Sequence, residues 1–384
     1  MTYRVTCLTP TLVGDGQRLS PIDYMVWKDQ VNVLDQRRIF KLLAKGPRLE
    51  GYLTQLRKAD KLDFASWGGF AQNFPLRRIP FEHPSLTAFW EKQRAEALFV
   101  PTFATSPSGP YLPGSALRGA LHTALLFSRW TEGMAKQVAE RFEGDRPPRR
   151  PAETAEEQGV GLEGYSRLRS FGVPDSSAIP ATAFKIYLIR TSTLVARGQG
   201  KLELGWKTPQ RGSVDNRRVD ESGAQFCEMA SPGTAFEGPW LRREWLADPE
   251  RLRQLRWRHP LEDGTLLEAA NAFSAKLLAI HREYAATAGL QLVEQSVSYL
   301  EEKVAEARQA GRSCVLPVGW GGGFLTKVAN PATDDENFRK VLRQLPFYSR
   351  AIQTGLPFPK TRRVVFLSGQ PAMLPGWVRL DLQT

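Results

Sequence analysis

"PYLPGSALRGALHTALL", residues 110–126, joins a rigid corner to a helix. Pro110, Pro113 and Gly114 make the corner. Ser115 stands where an N-cap belongs, because its hydroxyl can accept an N–H from the first turn. Leu117, Leu121, Ala124 and Leu125 recur at helical spacing and form the buried stripe. That stripe leaves Arg118 on or beside the exposed first turn, where unpaired N–H groups already make the potential positive. An arginine there opposes an isolated helix but suits one that holds an anion. The alternative is a capped helix with a solvent-exposed arginine. Gly119 would let another backbone approach closely.

Outward from this motif the chain reads as α+β with antiparallel sheets. Residues 3–8 alternate as a strand. "DYMVW" and "VNVLD" flank a short turn as a hairpin, and Asp35 caps a helix that ends near Gly46. Residues 142–164 carry prolines, charges and glycines and read as an exposed loop. "AFKIYLIRTSTLV" (183–195) is a strong strand. Residues 196–223 form a polar, basic excursion, after which "AQFCEMA" returns as a strand. Residues 266–310 are helical, with Leu290, Val293, Val297, Leu300 and Val304 along one face and Gly311 as the stop. "SCVLPV", "TRRVVFL" and "GWVRLDL" close the chain as strands.

Composition narrows the function. Over 384 residues, 52 Lys and Arg face 40 Asp and Glu, a net charge of +12. Such a chain attracts polyanions, although charge alone carries no specificity. No apolar run is long enough for a membrane span, and the N-terminus lacks a signal-peptide pattern, so a cytoplasmic location is expected. Cys7, Cys227 and Cys314 are too scattered for a disulfide framework or a zinc site. The four histidines show no metal-ligand spacing. No cofactor or metal is expected.

Three further basic stretches stand out. Arg211, Arg217 and Arg218 lie in the polar excursion. "GWGGGF" (319–324) is neither a Walker A loop nor a dinucleotide fingerprint. Gly321, Gly322 and Gly323 could still lie against a sugar–phosphate backbone, with Trp320 as a stacking face and Lys327 as the charge. A tight core crossing with a buried Trp320 is the alternative. "PFPKTRR" (357–363) presents Lys360, Arg362 and Arg363 at the entry to a strand, suited to phosphate contacts or to a solvated basic edge. Candidates for catalysis are sparse. His122 lies two helical turns from Ser115, too far to share its proton, and Asp15 and Asp23 are as well explained by turns.

These segments, in this order, resemble RAMP-superfamily proteins. The pattern in "YLPGSALRGALHTAL" is common to RAMP proteins in general. "GWGGGF", "FPKTRR" and "GWVRL" together are similar to the subunit that caps the 3′ end of the guide in the type III-A CRISPR effector, the Csm complex. The resemblance implies RRM-like (ferredoxin-like) modules with large insertions, here 1–225 and 226–384. It implies binding of the 3′ part of the CRISPR RNA near the target RNA, contact with the backbone-forming RAMP subunits, and support for guide maturation by recruited host nucleases. It implies no catalytic role. The competing reading is an endoribonuclease that processes precursor CRISPR RNA. The chain lacks an RNP consensus, so RNA contacts are expected from loops and helix ends.

Overall fold

Strand β1 (Thr2–Cys7) buries Tyr3, Val5 and Cys7 and exposes the residues between them, the period of a half-buried strand. It lies at the centre of the first sheet, between β5 (Ala235–Pro239) and β9 (Trp377–Gln383), and β9 in turn pairs β6 (Ser313–Pro317). All pairings are antiparallel, with Thr2 opposite Pro239 on one side and Gln383 on the other. The computed structural model describes residues 1–44, 46–58, 73–93, 97–143, 149–161, 165–198, 201–208, 218–332, 334–353 and 355–383.

The second sheet is built on the long strand β2 (Phe184–Arg197). β3 (Lys201–Trp206) and β4 (Gln225–Ala230) divide one edge of β2 between them. β7 (Thr361–Leu367) takes the other edge and pairs β8 (Gln370–Met373). Both sheets therefore mix strands from either side of residue 225, and a boundary there does not separate them. The α+β class with antiparallel sheets holds.

Helices cover what the sheets leave open. α3 (Asp263–Ala288) ends at Gly289, which adopts a left-handed φ of 68°, and α4 (Gln291–Ala310) follows. The stretch read as one helical run is thus two helices, because only glycine takes that conformation cheaply. α3 also covers the outer edge of β6, the end strand of its sheet. Asn271 accepts from Val315 N–H and donates to the Ser313 carbonyl, both at 3.0 Å, while Ser274 Oγ donates to the Val315 carbonyl at 2.7 Å. An edge strand's unpaired backbone groups are satisfied this way. A hydrogen bond of 3.0 Å between Tyr284 Oη and Ser192 Oγ ties α3 to the second sheet.

Two loop readings are corrected. Within 142–164, residues Glu153–Val160 form helix α2, with Ala155 and Val160 buried; α2 packs on helix α1 (Gly114–Ser128). Within 196–223, β3 pairs back onto β2 as a hairpin. In both places polar surface residues outnumber the few apolar ones that direct the packing.

Candidate functional site

Helix α1 starts at Gly114, where the surrounding backbone leaves room for nothing larger than glycine. A Cβ there would lie 2.0 Å from the Val173 carbonyl oxygen. The Gly114 N–H donates to Asp175 Oδ1 at 2.8 Å. The N-cap position falls on Pro113, so Ser115 is not the cap; it is exposed inside the first turn. Ser115, Gly119 and Thr123 recur every fourth residue and so share one face. That face forms one wall of a groove of about 440 Å³, whose far wall is Gly319, Trp320 and Lys327. Two motifs far apart in sequence meet here.

The glycine loop is pinned from behind. Trp320 N–H donates to the Leu12 carbonyl at 2.7 Å, and a Cβ on Gly319 would sit 2.2 Å from that same oxygen. Gly319 is thus a close crossing. Gly321 and Gly322 are crowded by Pro375 and Thr326, whereas Gly323, at φ +74°, faces open space. Trp320 is half-buried, and the Arg363 guanidinium lies 4.5 Å above its ring.

Past this loop the groove opens into a cleft of about 690 Å³ that shares Gly319, Trp320, Thr326 and Lys327 with it. Lys207, Lys327, Lys360, Arg362 and Arg363 line the cleft, and among the described residues no carboxylate does. Arg362 sits deep, 8% exposed. Its Nε donates to His281 Nδ1 at 2.9 Å, and its Nη1 donates to the carbonyls of Pro359 and Thr361. Its guanidinium lies 4.4 Å over the Tyr284 ring. Burial lowers its pKa to about 10, so it stays charged at neutral pH. Burial, then Arg362, hold the His281 pKa well below the usual histidine value. Arginine only donates, so the neutral His281 carries its proton on Nε2.

No family model matches the chain. A curated relative, the CRISPR system protein Csm5 of Methanocaldococcus jannaschii, is 21% identical over 426 aligned positions, covering 100% of this chain and 89% of the relative. Among solved structures, a chain of a Csm–crRNA–target RNA ternary complex from a type III-A CRISPR–Cas system superposes with a TM-score of 0.65 at 20% identity. That match covers 99% of this chain and 100% of the other. The crystal structure of T. onnurineus Csm5 superposes with a TM-score of 0.58 at 17% identity, with the same coverage. The chain is similar to Csm5 from end to end. The resemblance to a type III-A Csm RAMP subunit, first raised by the motifs, holds over the whole length.

In this Csm5-like chain the nominated residues divide. Ser115, Gly119, Trp320, Gly321, Gly322, Gly323, Lys327, Lys360, Arg362 and Arg363 line the groove or the cleft. Arg118 lines neither. It lies on the next face of α1 near His122, whose pKa is lowered by burial, raised in part by Glu156 and lowered further by Arg118. Arg218 is exposed and paired with Asp220 at 2.8 Å and Glu221 at 3.5 Å. Arg211 and Arg217 lie outside the described residues.

His122 gains a partner the sequence did not show: its Nε2 lies 3.2 Å from Glu156 Oε1. Asp15 and Asp23 each close a local turn, accepting from Gln17 N–H and from Ser20. Among the described residues no cluster of three His, Cys, Asp or Glu is placed to hold a metal, and no helix is long and apolar enough to cross a membrane. Sequence reasoning missed an aromatic wall of the cleft, made by Phe324, Phe347, Tyr348 and Phe358. These come from separate segments that only tertiary packing brings together, and no spacing in the sequence announces them.

Proposed function

We propose that this chain is a non-catalytic RNA-binding subunit of a type III-A CRISPR ribonucleoprotein acting in antiviral defence. It holds the 3′ part of the CRISPR RNA and packs against the backbone-forming RAMP subunits near the target RNA. The two antiparallel sheets are read as the frames of its RRM-like modules. Protecting the guide's 3′ end in this way would set where recruited nucleases stop trimming.

One observation supports this reading above the others. The α1 start and the glycine loop meet in one groove, and that groove runs into a cleft lined, among the described residues, by five cations and no carboxylate. Such a surface suits a phosphate backbone, which contributes most of sequence-independent affinity. The relatives are named for Csm complexes, one of them solved with crRNA and target RNA.

The test uses the purified chain and labelled single-stranded RNA. Binding without cleavage, weakening as salt rises, is expected. Failure to bind at about 50 mM salt, where such contacts are strong, would overturn the reading. Cleavage of repeat RNA by the chain alone would favour the endoribonuclease reading, which the His122–Glu156 pair keeps specific.

A further inference from the structure

The cleft carries more than a phosphate contact requires. Opposite its cations stands the aromatic wall. Phe324, Tyr348 and Phe358 hold one another edge to face, with ring centroids 5.1 to 5.7 Å apart. Phe347 extends the wall, is 86% exposed and meets the edge of Tyr348 at 5.0 Å. An aromatic ring left this open to water at the mouth of a cationic cleft is a stacking surface without its partner.

The floor adds a second, independent feature. His281 is 4% exposed and lines the cleft. Its Nδ1 is occupied by Arg362 Nε–H. Nε2–H is the remaining donor, and no acceptor meets it among the described residues. Because the ring lines the cleft, this donor can meet an acceptor on whatever enters.

We propose that the cleft receives one unstacked nucleotide of single-stranded RNA, its base against Phe347 and Tyr348 and its phosphate among Lys327, Lys360 and Arg363. An oxygen or ring nitrogen of the nucleotide accepts from His281 Nε2–H. The size agrees: 690 Å³ falls within the range of roughly 300–1,000 Å³ for sites that enclose a single small unit. The absence of a carboxylate among the described lining residues disfavours a cationic peptide, and the cations of the lining disfavour a purely apolar one. This proposal rests on the RNA-binding reading above.

The experiment pairs two RNAs with three proteins. One RNA is a short single strand; the other has the same length and phosphates but abasic sites in place of its bases. The proteins are the full chain, Phe347→Ala and Phe347→Tyr. The wild type is expected to bind abasic RNA about 10-fold more weakly, the effect of losing one stacked base. Phe347→Ala should lose the same factor on intact RNA and nothing further on abasic RNA, and Phe347→Tyr should restore it. Because Phe347 is exposed, the variant folds. Equal affinity of the wild type for both RNAs, with salt dependence kept, overturns the nucleotide pocket and leaves the RNA-binding reading standing. An equal loss for Phe347→Ala on both RNAs also overturns it, since stacking is then not what Phe347 contributes. No binding to either RNA overturns both readings.

Discussion

The backbone N–H of Gly114 donates to the carboxylate of Asp175, 61 residues further along the chain, at 2.8 Å. The first turn of α1 is therefore capped from a distant loop, where the sequence placed a local serine. Asp175→Ala should cost about 1 kcal/mol of stability, the usual scale of a lost N-cap. Ser115→Ala should stay within about 0.5 kcal/mol, as exposed substitutions do. Chemical denaturation of both variants checks the pair; equal losses would return the cap to Ser115.

Gly114 and Gly119 lie five residues apart and should respond in opposite directions. A Cβ at 114 collides with the carbonyls of Val173 and Pro174, at 2.0 and 2.6 Å, so Gly114→Ala should destabilise severely. A Cβ at 119 meets nothing within 4 Å. In an exposed helix interior, Gly119→Ala should stabilise by up to about 1 kcal/mol. If RNA lies along the groove, the same change should weaken RNA binding. Thermal melts and titrations on one preparation separate the two effects.

Salt dependence counts the phosphates. Five neutralised contacts give a log–log slope near −3.5, at about −0.7 each for a single strand. Lys327→Ala should flatten the slope by about 0.7 and leave the melting temperature unchanged, because Lys327 is exposed. Arg362→Ala should behave differently: with the guanidinium buried and bonded to His281 and two carbonyls, it should lower stability first.

Acid should loosen the floor of the cleft. The folded protein keeps His281 neutral, with its pKa well below the usual value, while the unfolded chain takes up a proton near pH 6.5. Below that pH the unfolded state binds more protons. The contribution is therefore complete above about pH 6.5 and is lost as pH falls, at up to about 1.4 kcal/mol per unit for one proton. His122 shifts in the same direction and adds to the trend. Unfolding free energies between pH 7.5 and 5 should show this slope, and His281→Gln should flatten it.

Replacing His122, Asp15 and Asp23 together with alanine should leave target-RNA cleavage by an assembled complex unchanged. His122 reaches a carboxylate, but the two aspartates are spent on their own turns. The comparison needs complexes matched for subunit content and guide length. A fall of about 100-fold, the scale of general acid–base catalysis, would move the assignment to a nuclease.

Much of this fold could be read from spacing. The Asp35 cap, the stripe from Leu290 to Val304 and the strands at both ends of the chain each follow from local pattern. What could not be read was long-range. Arg362 and Arg363 look alike in "KTRR", yet β7 turns one inward and the other to Trp320 because successive residues of a strand face opposite sides. His122 found Glu156 only through the docking of α2 on α1. The aromatic wall needed a loop, a helix and a proline-rich corner to converge.

The pairing of β1 with β9 has a consequence for how the protein is made. Thr9 Oγ1 accepts from Trp377 N–H across 368 residues, and the two strands run side by side from Cys7 to Thr2. β1 cannot complete its pairing on that flank until the segment Trp377–Gln383 has been made. Closing so long a loop is slow compared with local structure. Tyr3 and Val5 therefore reach their buried setting only when β9 docks, and Thr2 and Gln383 then lie side by side.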